Sequence, residues 1–167
     1  GFRTFQPKSL DADRVFEYFL TSDQLQSQGL VEVKMKKGFD MIGYDTDGNN
    51  LYVLFAKGET AAAEKYVLHL DLDTQVGVEY DAANLLPMDL VEFLVLDQKA
   101  IFMGISDTRP AIQIFSLEDK TVQTVQGIYG NETHVVQMLK LPEIQALEVV
   151  IRRRGPFKSQ ETLVLTF

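Results

Sequence analysis

The sequence predicts a mainly-β chain: about three antiparallel four-stranded units behind a short N-terminal helix. Three observations carry that prediction. From residue 30 onward, short apolar runs separated by turn residues fill the chain, a pattern of all-β proteins. Those runs recur at a near-constant interval, which points to a repeat array. Residues 1–29 differ, because their apolar positions follow a helical period rather than strict alternation.

The N-terminal segment comes first. Ser9 or Asp11 offers a helix cap, and Asp11 and Asp13 would sit at the positive end of the helix dipole. Val15, Phe16, Phe19 and Leu20 then fall on one helical stripe, and Gly29 is a natural stop. The expected helix runs from Asp11 to Leu20, inside a separate segment 1–29 that precedes a β-rich domain over 30–167.

Beyond Gly29, Leu30–Lys36 alternates as a short strand and Lys36-Lys37-Gly38 makes a turn. The repeat then emerges. One unit reads Leu51-Tyr-Val-Leu-Phe-Ala, a polar hairpin, and Tyr66-Val-Leu-His-Leu-Asp. The next reads Ala100-Ile-Phe-Met-Gly-Ile, a turn, and Ala111-Ile-Gln-Ile-Phe-Ser. The third reads Ala146-Leu-Glu-Val-Val-Ile, a hairpin, and Glu161-Thr-Leu-Val-Leu-Thr-Phe. Their starts are 49 and 46 residues apart, close to the roughly 40 to 50 residues of a four-stranded propeller blade. Upstream strands are expected at Phe39–Tyr44, Leu90–Leu96 and His134–Leu139, and downstream ones at Val76–Tyr80 and Val122–Ile128. The units therefore span about 39–87, 88–132 and 133–167. The competing architecture is a single closed β-sandwich or barrel.

On these residues the units resemble degenerate WD40-like β-propeller blades over 39–167. In that family the third strand ends in Trp-Asp; the matching pairs here are Leu70-Asp71, Phe115-Ser116 and Leu165-Thr166, and the chain has no tryptophan. The layout is also similar to the C-terminal blades of the fourth subunit of the anaphase-promoting complex. The resemblance implies a non-enzymatic scaffold. Three blades do not close a ring, since propellers have about four to eight. The remaining blades are therefore expected from further polypeptide, another chain or self-association.

Composition removes several alternatives. A net charge of −8 is the wrong sign for neutralising phosphates, so no nucleic-acid partner is expected. The longest apolar runs, such as Leu51–Ala56, fall far short of the roughly 20 residues of a membrane-spanning helix. The absence of cysteine removes disulfides and thiolate chemistry and favours a cytoplasmic or nuclear setting.

The candidate chemistry is sparse. Asp45, Asp47 and Asn49 are closely spaced oxygen donors, yet their spacing departs from an EF-hand loop and reads as a turn between two strands. Asp71 and Asp73 share a strand face with His69, and alternating leucines make that face the solvated one. His134 stands apart from them, and no glycine-rich phosphate loop or nucleophile elbow is present. No catalytic residue, metal or cofactor is expected. Arg152, Arg153 and Arg154 precede Gly155-Pro156 and read as a hairpin tip able to grip an acidic peptide or phosphate. With Asp107 and Arg109 of the neighbouring hairpin, they form the expected protein-binding set. The alternatives are a closed β-domain holding a small or lipidic ligand, and a calcium- or carbohydrate-binding module built on Asp45–Asn50.

Overall fold

The structure is a computed structural model that describes residues 2–5, 15–21, 27–82, 84–125, 133–153 and 159–166. Those residues form four antiparallel meanders of consecutive strands. The first sheet holds β1 (Phe2–Phe5), β2 (Val15–Thr21) and β3 (Ser27–Lys34). The second holds β4 (Asp40–Asp47), β5 (Asn50–Ala56), β6 (Lys65–Asp71) and β7 (Gly77–Asp81). The third holds β8 (Asp89–Leu96), β9 (Lys99–Ser106), β10 (Arg109–Ser116) and β11 (Val122–Thr124). The fourth holds β12 (Thr133–Leu141), β13 (Ala146–Arg153) and β14 (Ser159–Thr166).

The expected N-terminal helix is not formed. Val15–Thr21 is a strand, paired with β1 on one side and β3 on the other. Its sequence, Val-Phe-Glu-Tyr-Phe-Leu-Thr, is dominated by β-branched and aromatic residues, which lose side-chain freedom in a helix and suit a pleated surface. The proposed caps at Ser9, Asp11 and Asp13 lie outside the described residues. With β3, which runs across the expected boundary between residues 29 and 30, β1 and β2 form the first sheet.

The sheets stack face to face, so a strand in the middle of the array is buried on both sides. β5 makes this concrete. Leu51, Val53 and Phe55 enter one apolar layer with Met35, Phe39, Tyr66, Leu68 and Leu70, against which Val33 of β3 packs. The alternate residues Tyr52 and Leu54 enter a second layer, with Phe93, Val95, Phe102 and Phe115 of the third sheet. β9 divides the same way: Ala100 and Phe102 join that second layer, while Ile101 and Met103 meet Leu147, Val149 and Ile151 of β13 in a third. This arrangement is a stack of four sheets, not one closed sandwich or barrel.

Two ends of the stack can be told apart. The turns at 48–49 and 97–98 and the short 3-10 turn Pro142–Ile144 lie at one end, here the turn end. The turns of the hairpins β5–β6 and β9–β10 lie at the other, the hairpin end, where β13 ends and β14 begins. The second and third sheets are aligned at both ends. At the turn end the Asp97 amide donates to Asp47 Oδ2, at 3.0 Å. At the hairpin end the Met88 amide donates to the Ala61 carbonyl, at 3.1 Å.

The first strands of the last three sheets share an irregularity. The pairing register slips between Met41 and Gly43 in β4, between Leu90 and Glu92 in β8, and between Val135 and Gln137 in β12. The extra residue is Ile42, Val91 or Val136, always β-branched. A bulge bends its strand and sharpens the local twist. Beside the second bulge, Gly104 of β9 admits the backbone of β8: a Cβ there would stand 2.5 Å from the Asp89 carbonyl oxygen.

Candidate functional site

The β9–β10 hairpin turns on Asp107 and Thr108, with φ of 48° and 67°. That is the type I′ geometry whose twist matches the flanking strands. Asp107 and Arg109 are exposed at this tip. The arginine run is placed differently from the sequence expectation. Arg152 and Arg153 are the last residues of β13, not a loop tip, and Arg154 lies outside the described residues. The ladder simply continues through them. Arg152 pairs with His134 and Gln160, and Arg153 with Thr133 and Ser159. Arginine is tolerated in a strand where its face is open, and Arg152 is exposed. It alternates with Leu147, Val149 and Ile151, which are fully buried against the third sheet, so it lies on the opposite face of β13. The two expected clusters thus stand at the same end of neighbouring sheets.

Asp45, Asp47 and Asn49 lie at the turn end. β4 runs on through Asp47 and β5 begins at Asn50, so only Gly48 and Asn49 form the turn. The three side chains go to separate partners. Asn49 Nδ2 donates to Asp73 Oδ2 at 3.0 Å, and Asp47 caps the Asp97 amide. Asp45 Oδ2 accepts from the Val95 amide at 2.6 Å and from Lys140 Nζ at 2.7 Å. The Lys140 ammonium also donates to the Thr46 carbonyl at 2.7 Å and the Val95 carbonyl at 3.2 Å. A lysine of β12 therefore ties together β4 and β8, the first strands of the two preceding sheets. Glu92, also on β8, has its carboxyl pushed up by burial and by the Asp45 charge. Among the described residues no group of three or more His, Asp or Glu side chains is arranged to hold a metal ion.

Asp71 and His69 also serve local structure. Asp71 Oδ1 accepts the amides of Asp73 and Thr74, each at 2.9 Å, which fixes the β6–β7 turn and holds the Asp71 carboxyl low. His69 departs from the solvated face expected for it. Its ring stacks on Tyr52 at 4.7 Å and Nε2 lies 2.7 Å from Asn50 Oδ1. Burial pushes its pKa down, with the Asp71 charge opposing.

One concavity at the hairpin end had no counterpart in the sequence reading. It has a volume of about 440 Å³ and lies between β4, the 57–64 hairpin and residues 88–90. Met41, Ile42, Met88 and Leu90 give it an apolar lining, while Asp40, Glu59 and Asp89 bring carboxylates. Lys65 lines it too but is 6% exposed, its ammonium donating to the carbonyls of Ala61 at 3.1 Å and Ala63 at 3.0 Å. These residues come from three separate stretches of chain and have no common spacing. The bulge at Ile42, which would have drawn attention to them, is not visible without the register.

Comparison with solved structures matches the β-propeller domain of the Trilobed protease from Pyrococcus furiosus, described as having an open velcro topology, with TM-score 0.50 and 12% sequence identity. The chain has a propeller-like fold. It is covered over 99% of its length but spans only 55% of that domain chain. At this identity the likeness concerns fold, and nothing in it singles out the WD40 family. No protein-family model and no curated protein matches the sequence. In propeller terms, the second and third sheets are complete four-stranded blades, with β4 and β8 innermost and β7 and β11 outermost. The first blade's β3 takes an outer position. Lys36, two residues beyond it, lies 2.9 Å from Glu79 of the outermost strand β7 and 4.3 Å over the Tyr66 ring. The fourth blade begins instead with its innermost strand, β12, whose Lys140 reaches β4 and β8.

Proposed function

We propose that the chain is a non-enzymatic part of a β-propeller that acts as a protein-interaction scaffold within a larger protein or complex. One observation supports this reading above the others. Among the described residues, two four-stranded blades stand between two three-stranded ones, the first filling outer blade positions and the last filling inner ones. Blades bury both faces against neighbours, so such an array is suited to continue into further blades. These would come from more of the same polypeptide, from a partner chain, or from a second copy. The degenerate WD40-like assignment belongs to this proposal, resting on strand spacing and on Leu70-Asp71 at the end of a third strand.

The hairpin end is the proposed docking face. Arg152, Arg153 and Arg154 would grip an acidic or phosphorylated segment through forked, charge-assisted hydrogen bonds, with Asp107 and Arg109 at the same end of the neighbouring sheet. Light scattering tests the assembly: the reading expects a discrete oligomer or a chain stabilised by another polypeptide. A stable monomer of 18.9 kDa would overturn it. For the docking face, replacing Arg152, Arg153 and Arg154 by alanine should weaken the natural partner's affinity. Unchanged affinity would remove those residues from the site.

A further inference from the structure

The groove between the second and third blades has a composition that selects its occupant. Its volume of about 440 Å³ falls within the roughly 300–1,000 Å³ of small-ligand sites. Half-buried Met41 and Leu90 line it, above the buried Met88, and methionine adapts to irregular apolar shapes. Ile42, 43% exposed although apolar, is turned outward here by the β4 bulge. The exposed Glu59 and Asp89 carboxylates add negative charge. The one lysine in the lining, Lys65, is held by two backbone carbonyls of the hairpin and stays buried, its charge attracting the Asp89 carboxylate from below. The chain as a whole carries −8, which reinforces attraction for cations.

A long basic side chain has the matching chemistry, with an apolar stem and a charged head. We propose that this groove takes an arginine or lysine side chain from an extended segment of a protein partner. The stem lies on Met41, Ile42 and Leu90 and the cationic head meets Glu59 and Asp89. The proposal deepens the scaffold reading and rests on it for the nature of the partner. It assigns a contact of opposite charge to that expected at Arg152.

The test uses a labelled peptide, Ala-Leu-Arg-Leu-Ala, titrated into the chain with methionine methyl groups followed by NMR. The methyl of Met41 should shift, and those of Met103 and Met138 in the third apolar layer should not. Glu59→Gln with Asp89→Asn should weaken binding by about fivefold or more, because charge-assisted contacts are lost. Glu118→Gln with Glu143→Gln removes equal charge at the turn end and should change binding by less than about twofold. Ala63→Phe should fill the groove and abolish binding, while thermal melting reports that each variant is folded. Absent binding, shifts located elsewhere, equal losses from both charge pairs, or equal affinity for a norleucine peptide would each overturn the assignment. The solution mass is read separately, so a monomeric chain that still binds the peptide here defeats the shared-blade reading and leaves the groove standing.

Discussion

Glu92 and His69 respond to burial in opposite senses, and each predicts its own pH dependence. Desolvation and the nearby Asp45 charge raise the Glu92 pKa in the folded state. A raised carboxyl pKa contributes stability that is present below the unfolded value of about 4.3 and lost as pH rises through the folded value. Glu92→Gln should therefore raise the melting temperature at neutral pH, with the gain shrinking toward pH 4. A constant gain at all pH values would show that charge is not the cause. For His69 burial lowers the pKa, so the folded state prefers the neutral ring. The unfolded chain then binds the proton first, and stability falls as pH drops from about 6.5 toward the lowered folded value. His69→Gln should flatten the fall in melting temperature below pH 6.5 without removing the acid response of the carboxylates. An unchanged slope would mean that His69 titrates alike in both states.

At the scale of elements, close approach between strands predicts the effect of a single methyl group. The Cβ of Gly104→Ala would meet the Asp89 carbonyl oxygen at 2.5 Å and Met88 Sδ at 3.1 Å. Backbone cannot yield as a flexible side chain can, so β8 must move at its bulge. The expected cost is about 1–3 kcal/mol by chemical denaturation, and a change under about 0.5 kcal/mol would show that the bulge adapts freely. The strands around this contact were legible in the sequence because β5 and β9 are buried on both faces, and β13 is buried on one and half-buried on the other as far as Val150. Their apolar residues therefore run continuously instead of alternating, and three such runs betrayed the repeat. The same double burial misplaced His69, since the solvated-face reading assumes a sheet with one wet side. β2 was misread for another reason: Val15, Phe16, Phe19 and Leu20 match a helical stripe and not an alternation, and over seven residues a short apolar run cannot be told from a helix segment by period alone. The Asp45–Lys140 contact left no trace at all, because its partners are 95 residues apart and meet only once the blades stack.

At the scale of the whole molecule, Lys140 makes a polar link that spans three blades. Propeller blades touch mainly their neighbours, so stability should be close to a sum of blades and of the layers between them. Lys140 adds a longer connection, because its ammonium joins β12 to Asp45 and Thr46 of β4 and to Val95 of β8. Lys140→Met keeps much of the stem but leaves the Asp45 carboxylate with the Val95 amide alone. Both side chains are mostly shielded, 21% and 15% exposed, so the lost charge-assisted bonds should cost about 1–3 kcal/mol. The location of the loss is more diagnostic than its size. Amide hydrogen exchange should accelerate most in β12 and β13, whose remaining hold on the array is the third apolar layer, and least in β5 and β6. Asp45→Asn should produce the same pattern more weakly, and the double variant should cost less than the two single losses added, as expected of groups in direct contact. Uniform acceleration across all blades would instead mean that they unfold as one unit and that Lys140 stabilises the array as a whole.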